Sequence, residues 1–194
     1  MRLFVGIAIP EELQKECVNI QKHLQGKLVP RTNFHYTLKF LGEQSTTTEI
    51  IKILDQIKVR HKPFTLRPKN IGAFPSEATP NIVWIGAQCP EFIALAQEIN
   101  SHLNKFHKEE HKDIVPHLTI AREAKNLPKI KTSFKPFKIS SFNLHQSKNG
   151  EYTILKEFKL SPQIYKPQPV ISLLMPRMQV SRKGLPPQLQ GDKK

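Results

Sequence analysis

The chain has 194 residues, 38% hydrophobic and 24% charged, enough to bury a sizeable core and inside the ordinary soluble range, which argues against wholesale disorder and against a membrane protein. Thirty Lys and Arg stand against sixteen Asp and Glu, and the resulting charge of +14 points to polyanions, RNA above all, as the class of partner. Cys17 and Cys89 match no metal or redox spacing and fit a reducing compartment, so a cytoplasmic protein is expected.

MRLFVGIAIP (1–10) is followed at once by Glu11 and Glu12 and has no small-residue cleavage site, so it reads as a buried strand rather than a leader or membrane span. Leu13, Cys17, Ile20 and Leu24 then mark one face of a helix over 11–24. A strand over 33–42 follows. Ser45 to Thr48 ahead of Glu49 make a helix start, with Ile50, Ile53, Leu54 and Ile57 on one face.

Residues 63–75 and 81–88 read as two strands that can pair as a hairpin. Pro90, Glu91 and the apolar Phe92, Leu95, Ala96, Ile99 and Leu103 predict a third helix over 90–106. Strands are expected over 114–122, 137–147 and 151–160, the last two joined at Asn149-Gly150, a tight hairpin signature. Residues 1–165 make one body. Residues 166–194, with five prolines and six basic residues against one acidic, read as a flexible basic tail.

Two strands carry the same triplet. FHYTLKFLGE holds His35 and Thr37, and PHLTIARE holds His117 and Thr119. Eight His and ten Thr would give roughly 0.4 such triplets by chance, so one means little, whereas two in matching strand contexts carry weight. Strand alternation puts each His and its Thr on one face and the large apolar residues on the other, so both polar pairs look out of the core. By the same parity Lys39 shares the face of His35, Arg122 opposes His117, and Tyr36 and Phe40 face inward.

Two imidazole and hydroxyl pairs facing one another make a phosphate site. No carboxylate or cysteine stands at ligand spacing beside either histidine, so no metal is expected, and no Gly-rich phosphate loop, nucleophile elbow or carboxylate pair is present. The remaining histidines lie in helices or Lys-rich connectors, except His145 in a late strand, which is not assigned a role.

The residues resemble the 2H phosphoesterases, and among them the RNA 2′,3′-cyclic phosphodiesterases also described as 2′-5′ RNA ligases. The resemblance rests on MRLFVGIAIP, NFHYTLKFLGE, IGAFPS with IVWIGA, VPHLTIAR, and the hairpin ending EYTILKEFKL. It implies an α+β, bilobal fold: two pseudo-symmetric antiparallel sheets with outer helices around a central cleft faced by the motif strands. The tail and the His145-Gln146 pair before Ser147 depart from the family pattern.

By that resemblance His35 is the general acid and His117 the general base in hydrolysis of a terminal 2′,3′-cyclic phosphate to a 2′-phosphate. Thr37 and Thr119, with Arg122 and Lys39, would bind the phosphate. The resemblance implies no cofactor and no metal and an RNA or oligonucleotide with a cyclic end as partner; no membrane is expected, and a monomer is the default expectation. A 2′-5′ ligase, a 2′,5′-phosphodiesterase and a non-catalytic RNA-end-binding module are the alternatives.

Overall fold

The computed structural model describes residues 1–107 and 114–161; the tail expected over 166–194 and His111 lie outside them. In chain order the elements are β1 (Arg2–Ala8), α1 (Glu11–Gln21), β2 (Lys27–Leu28), a 3-10 turn (Arg31–Asn33), β3 (His35–Glu43), α2 (Thr48–Lys58), β4 (Phe64–Pro75), β5 (Pro80–Gln88), α3 (Pro90–Leu103), β6 (His117–Arg122), β7 (Phe137–Ile139), β8 (Ser141–Lys148) and β9 (Glu151–Lys159).

Each helix begins where its sequence favours the exposed N–H end of the dipole: Glu11 and Glu12 on α1, Glu49 on α2, Pro90 and Glu91 on α3. Each buries one stripe, Leu13, Cys17 and Ile20 on α1, Ile50, Leu54 and Ile57 on α2, Phe92, Leu95 and Ile99 on α3. They meet Val5, Ile7, Tyr36, Leu38, Ile85, Leu118 and Ile120 from the strands, and this shared core closes one face of the sheet.

The strand order is β7-β4-β5-β6-β3-β1-β8-β9, with β2 added on β6. It divides into two antiparallel halves, β6-β5-β4-β7 and β3-β1-β8-β9, whose inner edges are the two motif strands. The halves touch edge to edge at a single paired position, Tyr36 opposite Leu118. The bilobal, pseudo-symmetric arrangement expected from the resemblance is therefore present, with the two sheets joined through their motif strands.

The segment read as one strand over 137–147 is two. β7 pairs with β4, Ile139 opposite Phe64, while β8 pairs with β1, Asn143 opposite Gly6. Ser140 is the residue at which the chain leaves one half for the other. The hairpin of β8 and β9 closes as the Asn-Gly signature predicts, with Asn149 at φ +53° and Gly150 at +82°. Among the described residues no helix is long and apolar enough to cross a membrane.

Candidate active site

β3 and β6 have the same pattern of exposure over six residues: half-buried, buried, half-buried, buried, buried, exposed. The doubled buried position is a β-bulge. On β3, Gly6 faces Thr37 and Val5 faces Lys39, leaving Leu38 as the extra residue. On β6, Trp84 faces Thr119 and Val83 faces Ala121, leaving Ile120 extra. A bulge reverses strand parity beyond it, so the fifth residue after each histidine returns to the open face.

That reversal corrects three expectations. Arg122 reaches the face of His117. Lys39 does not stay with His35: it is 1% exposed, and its Nζ donates to Asn100 Oδ1 on α3 at 2.8 Å. Lys39 is thus on the helix side of the sheet, away from the face that carries the two histidines. Phe40 occupies the position on β3 that Arg122 occupies on β6; it is 46% exposed and its ring is 6.3 Å from that of Phe4, so it faces the site rather than the core.

Helix amides hold both bulges. Gln21 Nε2 donates to the carbonyl of Ile120 at 2.8 Å, and Asn100 Nδ2 to that of Leu38 at 3.4 Å. Both carbonyls belong to the extra residue of a bulge, where the ladder is interrupted, and that of Ile120 also accepts from Val29 N at 3.0 Å.

The two imidazoles are anchored alike. Nδ1 of His35 donates to the carbonyl of Asn33 and Nδ1 of His117 to that of Val115, both at 2.7 Å and both two residues upstream. A carbonyl only accepts, so each Nδ1 carries the hydrogen and each neutral ring keeps its lone pair on Nε2. The Thr37 hydroxyl donates to His35 Nε2 at 3.0 Å.

Burial pushes the His35 imidazole down to about 4; the Asn33 carbonyl opposes this, while the charges of His117 and Arg122 add to it. Burial also lowers His117, with the Val115 carbonyl opposing and Arg122 adding to the effect. Arg122 is the cation that both histidines feel. Thr37 and Thr119 are half-buried on the open face, in the same place on their strands as expected. Among the described residues no three His, Cys, Asp or Glu side chains group in a way that could hold a metal ion.

The sequence profile of the 2′-5′ RNA ligase superfamily matches residues 9–151. The chain belongs to this superfamily. A curated RNA 2′,3′-cyclic phosphodiesterase from Methanocaldococcus jannaschii is 32% identical, over 77% of this chain and 88% of that protein. Another, from Archaeoglobus fulgidus, is 30% identical over 87% of this chain and 94% of that protein. Among solved structures, one from Thermus thermophilus aligns with a TM-score of 0.72 at 29% identity, over 82% of this chain and 98% of that one. LigT of E. coli complexed with 3′-AMP aligns at 0.69 and 28% identity, over 82% and 97%.

Around its two histidines this 2′-5′ RNA ligase superfamily member has an aromatic wall in each half. Phe4 packs 4.6 Å from His35, and Tyr152 meets His35 edge-on at 5.4 Å. The β8–β9 turn is tied to the base of β3 by Asn33 Nδ2, which donates to the Gly150 carbonyl at 2.6 Å. In the other half Phe74 meets His117 edge-on at 5.4 Å and Trp84 lies 6.5 Å away. Trp84 lies across Gly72, where a Cβ would come within 2.4 Å of its ring, so only glycine fits.

His145, left without a role by the sequence, stacks on Phe4 at 4.6 Å and lies 6.0 Å from His35. It is 6% exposed and neither ring nitrogen has a partner among the described residues. Burial, and then His35, hold it down to about 4, so it rests neutral. Its register opposite Phe4 on β1 is what brings it there, and the alternation FNLHQS already put His145 and Asn143 on one face.

Proposed function

We propose that the protein is an RNA 2′,3′-cyclic phosphodiesterase that opens a terminal cyclic phosphate to a 2′-phosphate by two-histidine acid–base catalysis without a metal. The observation that carries this reading is the matched pair of imidazoles, each fixed through Nδ1 so that Nε2 is the nitrogen left for proton transfer, and Arg122 acting on both. The names of the curated relatives support the same reaction.

In this scheme water attacks phosphorus and His117 Nε2 takes its proton. The bond from phosphorus to the 3′ oxygen breaks, and His35 Nε2 gives that oxygen a proton, leaving a 2′-phosphate and a 3′-hydroxyl. Thr37, Thr119 and Arg122 stabilise the charge that grows on the non-bridging oxygens. At rest His35 is neutral and accepts the Thr37 hydroxyl, so its proton arrives with the substrate: the phosphodiester anion offsets the charge of Arg122 and raises both imidazoles.

The test is hydrolysis of a nucleoside 2′,3′-cyclic monophosphate and of a cyclic-ended RNA in EDTA, with the product isomer resolved and with His35→Ala and His117→Ala alongside. A 2′-phosphate product lost in both variants is expected. A 3′-phosphate product, or full activity in either variant, would overturn the scheme.

A further inference from the structure

After Glu123, residues 124–136 lead from β6 to β7 without regular secondary structure, and with β7 they form a strap whose only charged side chains are lysines. Lys125, Lys129, Lys131, Lys135 and Lys138 are all exposed, while Leu127, Ile130, Phe134 and Phe137 pack against the core. No Asp or Glu occurs between Glu123 and Glu151. Among the described residues none of these five lysines has a carboxylate within ion-pair distance, whereas Lys15, Lys58, Lys105 and Lys156 elsewhere each have one.

The strap is fixed where it starts. The Ala124 amide donates to Asn81 O at 3.0 Å, Lys125 N to Gln25 O at 2.9 Å, and Asn126 Nδ2 to His23 O at 2.8 Å. It begins two residues after Arg122, and exposed Lys27 of β2 sits directly opposite Arg122 in the ladder. The run of positive charge therefore starts close to Arg122, with Glu123 the one acidic residue between them in sequence.

We infer that this strap is a binding surface for the phosphate backbone of the RNA upstream of its cyclic end. The inference rests on the function proposed above and adds where the body of the substrate goes. Five lysines held outward with no carboxylate at ion-pair distance form an electrostatic track that costs no ion pair to occupy. A membrane surface fits less well, because the strap's apolar residues are packed into the protein's own core and none is left to insert.

The experiment compares the full-length protein with a K129Q/K131Q/K135Q variant on two substrates, a cyclic mononucleotide and a single-stranded RNA of about twelve nucleotides with a cyclic end. Mononucleotide turnover should be unchanged. On the RNA, kcat/KM should fall roughly tenfold or more at low salt, and its log–log salt dependence should become shallower by about 2, at about 0.7 per lost phosphate contact. An unchanged slope on RNA, or an equal fall on both substrates, would overturn the inference.

If the unmodified protein turns over neither substrate, the proposed reaction fails, and filter binding of the same RNA still reads the strap. Loss of affinity in the variant supports it there, and equal affinity overturns it. Loss of binding to anionic phospholipid vesicles with RNA binding intact would also overturn it, in favour of a membrane.

Discussion

Gln21 on α1 and Asn100 on α3 do the same task on opposite halves of the sheet: each donates a side-chain amide to the carbonyl of the residue that follows a motif threonine, Ile120 at 2.8 Å and Leu38 at 3.4 Å. Gln21 also donates to Val29 O at 2.8 Å, so it ties β2 and the bulge of β6 together. Gln21→Leu should remove both hydrogen bonds, leaving Ile120 O with Val29 N alone as donor, at a cost of about 1–3 kcal/mol for the two. Thermal unfolding should register this as a midpoint lowered by roughly 3–10 °C. Turnover should fall as well, because the bulge is what turns Arg122 toward His117.

Exchanging the two basic candidates separates their roles. Arg122→Gln should lower turnover by about 10²-fold or more, as for loss of a donor to the transition-state charge. Lys39→Met should leave kcat on a cyclic mononucleotide within about twofold, since its ammonium is bonded to Asn100 on the far side of the sheet. Equal losses in the two variants would contradict the bulge-based account of the site.

Thr37→Ala should cost about 2–4 kcal/mol of transition-state stabilisation, seen mainly in kcat. It should also free His35 Nε2, which now accepts the Thr37 hydroxyl. Removing a donor to the neutral ring favours its protonated form, so the apparent pKa of His35 should rise in the variant, measurable by NMR titration of the imidazole.

Stability should depend on pH through His35 and His145. Both are held down to about 4 in the folded protein, against about 6.5 in the unfolded chain. The unfolded state therefore binds more protons between these values, and the stability present above pH 6.5 is lost as pH falls through 4. Each tenfold reduction in proton affinity is worth about 1.4 kcal/mol, so denaturant titrations should show a loss of several kcal/mol. His145→Phe should flatten that slope.

The activity profile should be displaced in the same direction. With both motif imidazoles lowered, the acid limb of kcat/KM should fall below pH 6.5. Arg122→Gln removes a positive charge that both rings feel, so the surviving activity should have its profile shifted to higher pH. Gln21→Leu should reproduce part of that shift if it moves Arg122 away.

Much of this was legible in the chain. Apolar spacing located α1, α2 and α3, Asn149-Gly150 fixed a hairpin, and the two His-x-Thr triplets marked the strands that meet at the centre of the sheet. The faces of Arg122, Lys39 and Phe40 were misread for one reason: alternation assumes an unbroken ladder. The bulges that swap these residues depend on Asn100 and Gln21, distant in sequence, and on the extra residue each strand presents to its neighbour. The break at Ser140 was hidden similarly, since strands in different halves can adjoin with no turn residue between them.

The route of the chain through Ser140 has a mechanical consequence. β7 completes one half and β8 the other, while α1, which follows β1, packs on β6, and α3, which follows β5, packs on β3. Each half is roofed by a helix from the other, so the halves are interlaced rather than hinged. Cutting the chain between them should yield two fragments that fold only when mixed. The separation of His35 and His117 is accordingly a property of one cooperative unit, set by the shared core and not by a movable joint.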